Sequence, residues 1–122
     1  MIMATKMEMR PGRYAPVNGL SMYYEIHGAG RPLVLLHGAF MTIEGSFQRM
    51  LPTLAETRQV LAVEQQAHGR TADIDRPLTY GGMAADTVAL LRHLGVSEAD
   101  IFGYSMGAAI ALEIAVRHPD VV

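Results

Sequence analysis

Two uninterrupted apolar runs, each followed by apolar residues at helical spacing, constrain the fold of this chain more than any other feature. The runs are "LVLLHG" at 33–38 and "QVLAV" at 59–63, and a further short one, "ADIFGY", follows at 99–104. Such runs without polar alternation are typical of strands covered on both faces, as central parallel strands are. Strands that alternate with helices predict an α/β fold with a mostly parallel sheet, helices on both faces and right-handed crossovers.

An antiparallel hairpin is expected before the parallel strands. Residues 13–17 ("RYAPV") and 21–28 ("SMYYEIHG") flank Asn18 and Gly19. Asn-Gly favours a two-residue type I′ turn, because both of its residues tolerate a positive φ. The two flanking segments are therefore predicted to pair with each other, and the turn "GAGRP" leads from them into the next strand.

Two internal segments have the spacing and end signals of helices. Over 47–54 apolar residues recur at helical spacing, although Pro52 is expected to break or kink the helix. Over 78–96 the signals are clearer, since Thr79 can cap the amino end and Gly95 falls where a left-handed carboxyl cap is needed.

A last helix is predicted from Ser105 to His118, where Pro119 ends it. Its charged residues are Glu113 and Arg117, which lie four apart and therefore on one face. Because the rest of the segment is almost entirely apolar, the helix is expected to be buried on most of its sides.

The composition is that of one soluble globular domain, here the whole of residues 1–122. Half of the residues are hydrophobic, 18% are charged, and the formal net charge is -2. With no cluster of Lys and Arg, nucleic-acid binding is not expected. With no cysteine, disulfides and thiolate catalysis are excluded. The five histidines lack a metal-binding spacing, so neither a metal nor another cofactor is expected.

The location is predicted to be cytoplasmic, with no membrane segment. The opening ten residues mix Lys6, Glu8 and Arg10 with methionines and so lack the apolar core of a secretory signal. The longest apolar run is far shorter than the roughly 20 residues that a spanning helix requires. Among the remaining acidic residues, Glu64 and Asp73 are expected to lie in solvated loops.

The stretch "GYSMG" is the strongest functional signal. Ser105 lies midway between Gly103 and Gly107, at the end of a predicted strand and the start of a predicted helix. This is the setting of a nucleophile elbow, a turn so tight that the serine backbone is strained and side chains two residues away would collide. The turn exposes the hydroxyl, and the N–H of Met106 can help to stabilise an oxyanion. The alternative, a serine that merely caps the helix, needs no flanking glycines.

With these residues the chain resembles the amino-terminal half of an α/β-hydrolase fold protein of the esterase-like group, from about 17 to 122. Three matches carry the resemblance: His37-Gly38 after a buried strand, the "GYSMG" elbow, and "HGRT" at 68–71. The resemblance implies that Ala39 supplies a second oxyanion N–H, with Phe40 as the neighbouring alternative. It also implies that His37 shapes the loop of Gly38 through hydrogen bonds rather than acting as the base.

In that family the acid and the histidine of the triad follow the serine along the chain. The candidates after Ser105 are Glu113, His118 and Asp120, and the last two lie about 20 Å away along a helix that rises 1.5 Å per residue. His68 is the internal candidate for the base. We therefore expect a partial domain, truncated after the helix that follows the elbow, that has a nucleophile but no recognisable base and is nearly inert alone.

The parent protein is expected to be a serine hydrolase that acts on a small-molecule ester or related carbonyl substrate through an acyl-enzyme. Esters, thioesters, lactones and carbon–carbon cleavage substrates all stay open. The alternative is a non-catalytic ligand-binding or interaction protein on the same fold. The resemblance places the strand before Ser105 in the middle of a larger sheet, so its edge would be exposed here and could mediate self-association.

Overall fold

Five strands form one mixed sheet in the computed structural model, which describes residues 12–122. The inference drawn from Lys6, Glu8 and Arg10 therefore lies outside the described residues. The strands are β1 (Gly12–Val17), β2 (Leu20–His27), β3 (Arg31–Leu36), β4 (Arg58–Val63) and β5 (Asp100–Gly103). They lie side by side in the order β1-β2-β4-β3-β5.

Four helices connect or follow these strands. They are α1 (Ile43–Phe47), α2 (Leu51–Leu54), α3 (Tyr80–His93) and α4 (Met106–Arg117), after which a short 3-10 turn spans Pro119–Val121. No helix in this described part combines the length and the apolar character that crossing a bilayer requires.

The first two strands form the predicted antiparallel hairpin. Val17 pairs with Leu20 across the turn, and the two turn residues, Asn18 and Gly19, have φ values of 51° and 86°. Both values lie in the left-handed region, as a type I′ turn requires. The prediction made from the Asn-Gly dipeptide is thus confirmed.

The parallel part of the sheet is centred on β3, which pairs with β4 on one side and β5 on the other. Leu36, the last residue of β3, is the partner of both Val63 and Gly103. All three strands therefore end at the same edge of the sheet, and the loops that follow them start side by side. The predicted α/β class with an initial hairpin is confirmed.

Helices cover both faces of the sheet, and this explains the uninterrupted apolar runs. Alternate residues of β3 and β4 pack against α3 and α4, and the residues between them pack against α1 and α2. The first set is Val34, Leu36, Leu61 and Val63, and the second is Leu33, Leu35, Val60 and Ala62. A strand with two covered faces has no position that favours a polar side chain.

The helix ends follow the local signals. The Oγ1 of Thr79 accepts a hydrogen bond from the N–H of Gly82 at 2.9 Å, and Gly95 has a φ of 75° just after α3. Pro52 stands in the first turn of α2, so the segment predicted over 47–54 is divided between two short helices. These outcomes agree with the predicted caps and the predicted break.

The prediction that the last helix is buried on most of its sides is wrong. Its buried residues are Gly107, Ile110 and Ile114, whereas Leu112 is 68% exposed and Val116 is 77% exposed. Apolar composition shows only that a helix can be covered, and coverage requires a neighbouring element. Within residues 12–122, α4 packs on the sheet and on α3, which leaves its outer side in contact with solvent.

Candidate active site

The loops after β3 and β5 meet at the carboxyl edge of the sheet. Leu36 and Gly103 are register partners, and the N–H of Tyr104 donates to the carbonyl oxygen of Leu36 at 3.0 Å. Gly38 and Ser105 each lie two residues beyond this pair. The structure therefore brings together the two segments that the sequence proposes as oxyanion loop and nucleophile elbow.

The backbone of Ser105 is strained. Its φ is 57° and its ψ is −113°, a combination outside the regions that residues with a Cβ ordinarily occupy. Such a conformation costs on the order of 1–3 kcal/mol and persists only where the surrounding structure holds it. Here β5 ends two residues before Ser105 and α4 begins immediately after it, so the chain must turn from strand to helix within the elbow.

The two flanking glycines make this turn sterically possible. A Cβ on Gly103 would overlap the carbonyl oxygen of Gly107, and a Cβ on Gly107 would overlap the carbonyl oxygen of Leu36. These obstacles are backbone atoms, which cannot swing aside as a flexible side chain could. The start of α4 consequently lies directly against the end of β3.

The hydroxyl of Ser105 does not cap its helix. At the starts of α1 and α3, Thr42 and Thr79 have extended backbones, and their hydroxyls accept hydrogen bonds from Gly45 and Gly82. Ser105 has a positive φ instead, its side chain makes no capping bond, and the residue is exposed. The capping alternative therefore does not fit, and the hydroxyl is available to a reaction partner.

Two backbone N–H groups are available near the elbow. Within the described residues, neither the N–H of Ala39 nor that of Met106 donates to a protein acceptor. Ala39 and Phe40 are the central residues of a turn in which the N–H of Met41 donates to Gly38, and Phe40 has a φ of 60°. Met106 opens α4, where unpaired N–H groups and the helix dipole favour a negative charge.

His37 holds the loop of Gly38 in place. It is fully buried, its Nδ1–H donates to the carbonyl oxygen of Gly38 at 2.8 Å, and its Nε2 accepts from the N–H of Gln65 at 3.0 Å. Burial lowers the pKa of His37, and the neighbouring His68 lowers it further. The ring is therefore neutral at pH 7 with both nitrogens engaged, so it cannot accept a proton from Ser105.

His68 lies beside this loop without a hydrogen bond to the elbow. Its ring centroid is 4.9 Å from that of His37 and 6.4 Å from that of Phe40. Its Nδ1–H donates to the carbonyl oxygen of Gln66 at 2.9 Å, which leaves the lone pair on Nε2. Within residues 12–122, no hydrogen bond joins any histidine to the hydroxyl of Ser105.

The acidic residues that follow Ser105 have other partners. Glu113 accepts from the Nε of Arg117 at 2.5 Å on α4, and Asp120 lies 3.6 Å from Arg92. Both pairs lie towards the far end of α4 from the elbow. The structure therefore does not bring these carboxylates to Ser105.

The prediction that Glu64 lies in a solvated loop is wrong. It is fully buried directly after β4 and accepts hydrogen bonds from the Nε and Nη2 of Arg70, at 2.9 and 2.7 Å. It also accepts from the backbone N–H groups of Arg70 and Ile43. Burial alone would raise the pKa of Glu64, but these donors outweigh it and lower the pKa. Asp73, in contrast, lies in an exposed loop as predicted.

Arg70 is the centre of a charged cluster that sequence reasoning missed. Its Nη2 lies 2.7 Å from Glu44, its Nη1 lies 3.8 Å from the buried Glu25, and its guanidinium stacks on the ring of Tyr23 at 4.1 Å. The cluster ties the loop of His68 to α1 and β2. The sequence signal that could have predicted this cluster is Glu64, an acidic residue directly after a buried strand, followed six residues later by Arg70.

Two curated relatives extend well beyond the matched region. A soluble epoxide hydrolase of Corynebacterium sp. (strain C12) is 33% identical over 111 residues, which are 88% of this chain and 37% of the relative. A 2-hydroxymuconate semialdehyde hydrolase of Pseudomonas sp. (strain CF600) is 31% identical over 112 residues, 89% of this chain and 40% of the relative. The chain thus spans about two fifths of the length of these relatives.

The fold and the sequence lead to the same family. The crystal structure of the enol-lactonase from Burkholderia xenovorans LB400 superposes with a TM-score of 0.85 at 26% identity, covering 89% of this chain and 43% of that one. The sequence family described as alpha/beta hydrolase fold matches residues 31–122. The chain belongs to the α/β-hydrolase fold family.

Proposed function

We propose that Ser105 is the nucleophile of a serine hydrolase that cleaves an ester or related carbonyl substrate through an acyl-enzyme. The observation that carries the proposal is the strained, exposed and uncapped serine at the start of α4. A hydroxyl held at the cost of backbone strain is the property of a nucleophile elbow. The hydrolase names of the relatives support a bond-cleaving reaction.

The proposed reaction has two steps. The Oγ of Ser105 attacks the substrate carbonyl carbon and loses its proton to a base, and the carbonyl oxygen becomes an oxyanion. The N–H groups of Ala39 and Met106, or of Phe40 in place of Ala39, stabilise this negative charge. The tetrahedral intermediate then expels the protonated leaving group and leaves an acyl group on Ser105. Water attacks this ester in the same way and releases the acid.

The supporting contacts assign roles to the surrounding residues. His37 fixes the carbonyl of Gly38 and so orients the following N–H groups. Gly103 and Gly107 allow the elbow to lie against β3. His68 is the internal candidate for the base, because its hydrogen bond to Gln66 is made by Nδ1 and leaves the Nε2 lone pair to accept a proton. No histidine of the described residues is hydrogen-bonded to Ser105, so turnover by residues 1–122 alone is expected to be on the order of a millionfold slower than that of a complete triad.

The second candidate function is ligand binding or protein interaction without catalysis. It is favoured by one observation, that no histidine of the described residues is hydrogen-bonded to Ser105. A test of the nucleophile must therefore work without a base.

Replacing Ser105 with cysteine provides such a test, because a thiolate forms without help from a neighbouring base. The chain has no native cysteine, so Ser105→Cys introduces a single thiol at the helix start, where the thiol pKa is lowered. We expect p-nitrophenyl acetate to release one equivalent of p-nitrophenol per chain, at least about tenfold faster than with the exposed control Ser97→Cys. Equal rates for the two variants would remove the support for an oxyanion site at Ser105 and favour the binding function.

A further inference from the structure

Gly38 is buried, and its backbone is held from two directions. Its carbonyl oxygen accepts from the Nδ1–H of His37 at 2.8 Å and from the N–H of Met41 at 3.2 Å. Its N–H donates to the Oγ of Ser46 at 3.1 Å. Ser46 belongs to α1, eight residues further along the chain. The carbonyl of Gly38 is therefore fixed by its own loop, whereas its N–H is fixed by a helix.

The peptide between His37 and Gly38 bridges α1 and the elbow. Its carbonyl oxygen lies against the start of α4, since a Cβ on Gly107 would stand 2.9 Å from it. The carbonyl and the N–H of a trans peptide point in opposite directions. The N–H of Gly38 consequently points away from α4, and Ser46 receives it on the other side. The bond to Ser46 thus fixes the distance between the oxyanion loop and the elbow.

Ser46 also contacts a side chain that encloses Gly38. Its hydroxyl donates to the Sδ of Met41 at 3.4 Å. A Cβ on Gly38 would lie 3.0 Å from this sulfur and 3.0 Å from the ring of Tyr104, so Gly38 is packed between the two side chains. Tyr104 directly precedes Ser105 in the elbow. One hydroxyl therefore joins the peptide of Gly38 to the side chain that packs against it.

We propose that Ser46 is a positioning residue of the oxyanion site, an inference that rests on the proposed function of Ser105. Because a peptide is planar, the N–H of Ala39 lies in the same plane as the carbonyl of Gly38. The orientation of that plane relative to the preceding one depends on Gly38, and the bonds to His37 and Ser46 hold one plane each. Ser46 therefore acts on the N–H of Ala39 through Gly38.

Removal of the Ser46 hydroxyl is expected to misalign this donor. The N–H of Gly38 would be left buried without its partner, which is unfavourable enough to shift the loop. An oxyanion donor is effective only at roughly 2.7–3.1 Å from the developing charge, so a small shift weakens it. The nucleophile itself would keep its place in the elbow.

Two reactions of the Ser105→Cys variant separate these effects. In the first, the thiolate attacks the carbonyl carbon of p-nitrophenyl acetate, an oxyanion forms, and p-nitrophenolate leaves. In the second, the thiolate attacks the methylene carbon of iodoacetamide and displaces iodide, and no oxyanion forms. Both rates scale with the thiolate fraction. The ratio of the acylation rate to the alkylation rate therefore reports the oxyanion site and not the pKa of the thiol.

We expect Ser46→Ala, added to Ser105→Cys, to lower this ratio by about fivefold. Ser46→Thr and Ser46→Val form a matched pair of nearly equal shape, of which only the threonine keeps the hydroxyl. The threonine variant should keep the ratio of Ser105→Cys, and the valine variant should lower it as alanine does. The control is Thr79→Ala, which removes a hydroxyl that accepts from the N–H of Gly82 on α3 and should leave the ratio unchanged. Circular dichroism identical to that of Ser105→Cys shows that the variants fold.

Three results at Ser46 would overturn the positioning role. They are an unchanged ratio in Ser46→Ala, equal ratios in the threonine and valine variants, and unfolding of both Ser46→Ala and Ser46→Val, which would make the hydroxyl a requirement of the fold as a whole. Acylation of Ser105→Cys no faster than that of Ser97→Cys would instead overturn the proposed function, and the role of Ser46 with it. The two failures are distinguishable, because the latter is seen before any change at Ser46.

Discussion

The N–H of Gln65 donates to the Nε2 of His37 across 3.0 Å, and this bond joins the loop after β4 to the loop after β3. The acceptor is an imidazole nitrogen, so the bond exists only while His37 is neutral. A protonated ring would carry an N–H at Nε2, and two donors would then face each other inside a fully buried site. The junction at the candidate oxyanion loop is therefore sensitive to acid.

We expect stability to fall as the pH decreases below about 6.5, the ordinary pKa of histidine. Burial lowers the pKa of His37 in the folded chain. At a pH between the lowered pKa of the folded chain and the ordinary pKa of the unfolded chain, only the unfolded chain binds the proton, and this penalises folding. Above pH 6.5 both states are neutral and the penalty vanishes. Urea unfolding over a pH series measures it.

The matched variant is His37→Gln, whose amide oxygen can accept from Gln65 but does not titrate. Its free energy of unfolding should fall less steeply than that of the unmodified chain as the pH decreases from 6.5 towards 5. The lowered pKa of Glu64 adds a separate loss below its ordinary value of 4.5, which both proteins should share. If the free energy of unfolding falls equally steeply in the two proteins between pH 6.5 and 5, the role given to His37 is contradicted.

Ser105→Gly is expected to stabilise the chain by about 1 kcal/mol, because glycine adopts a positive φ without the strain imposed by a Cβ. Ser105→Ala is the matched control, since it removes the same hydroxyl but keeps the Cβ at a φ of 57°. Its free energy of unfolding should stay within about 0.5 kcal/mol of that of the unmodified chain. If the two variants unfold at the same urea concentration, the strain assigned to the elbow is absent.

Local signals predicted much of this fold because each acts over a few residues. The Asn18-Gly19 turn, the cap at Thr79 and the glycines around Ser105 depend on backbone conformations that only certain residue types adopt. The apolar run of β3 predicted a central strand covered on both faces, because such a strand has no position that favours a polar side chain. These predictions required no knowledge of distant contacts.

The errors arose where a distant partner decides the outcome. Glu64 is polar and therefore predicted to be solvated, but Arg70 and the N–H of Ile43 satisfy its carboxylate inside the protein. The outer side of α4 is apolar and therefore predicted to be buried, yet no described element covers Leu112. A residue type indicates whether a side chain favours water or the protein interior. Its actual burial depends on which elements the topology places beside it.

The same substitution should have opposite effects at two glycines. Gly81 lies in the first turn of α3 and Gly95 just after its end, and a Cβ would meet open space at both positions. Gly81→Ala should stabilise by about 0.5–1 kcal/mol, because alanine loses less backbone entropy in a helix. Gly95→Ala should destabilise by about 1 kcal/mol, because its φ is 75°. Thermal or urea unfolding measures both changes, and shifts of the same sign would contradict the assigned helix end.

Arg70→Met is expected to destabilise the chain by about 3 kcal/mol, because it leaves the fully buried carboxylate of Glu64 without its positive partner. Arg31→Met is the matched control. It removes the same charge from an ion pair with Asp100 at 3.0 Å whose members are 77% and 45% exposed, so it should cost less than about 1 kcal/mol.

The double variant Glu64→Gln/Arg70→Met should be more stable than Arg70→Met alone, since it removes the unpaired charge as well. Urea unfolding of the four variants at pH 7, including Glu64→Gln, gives the coupling free energy. If Arg70→Met and Arg31→Met cost the same, the cluster around Arg70 does not hold the loop of His68 in the way that its contacts indicate.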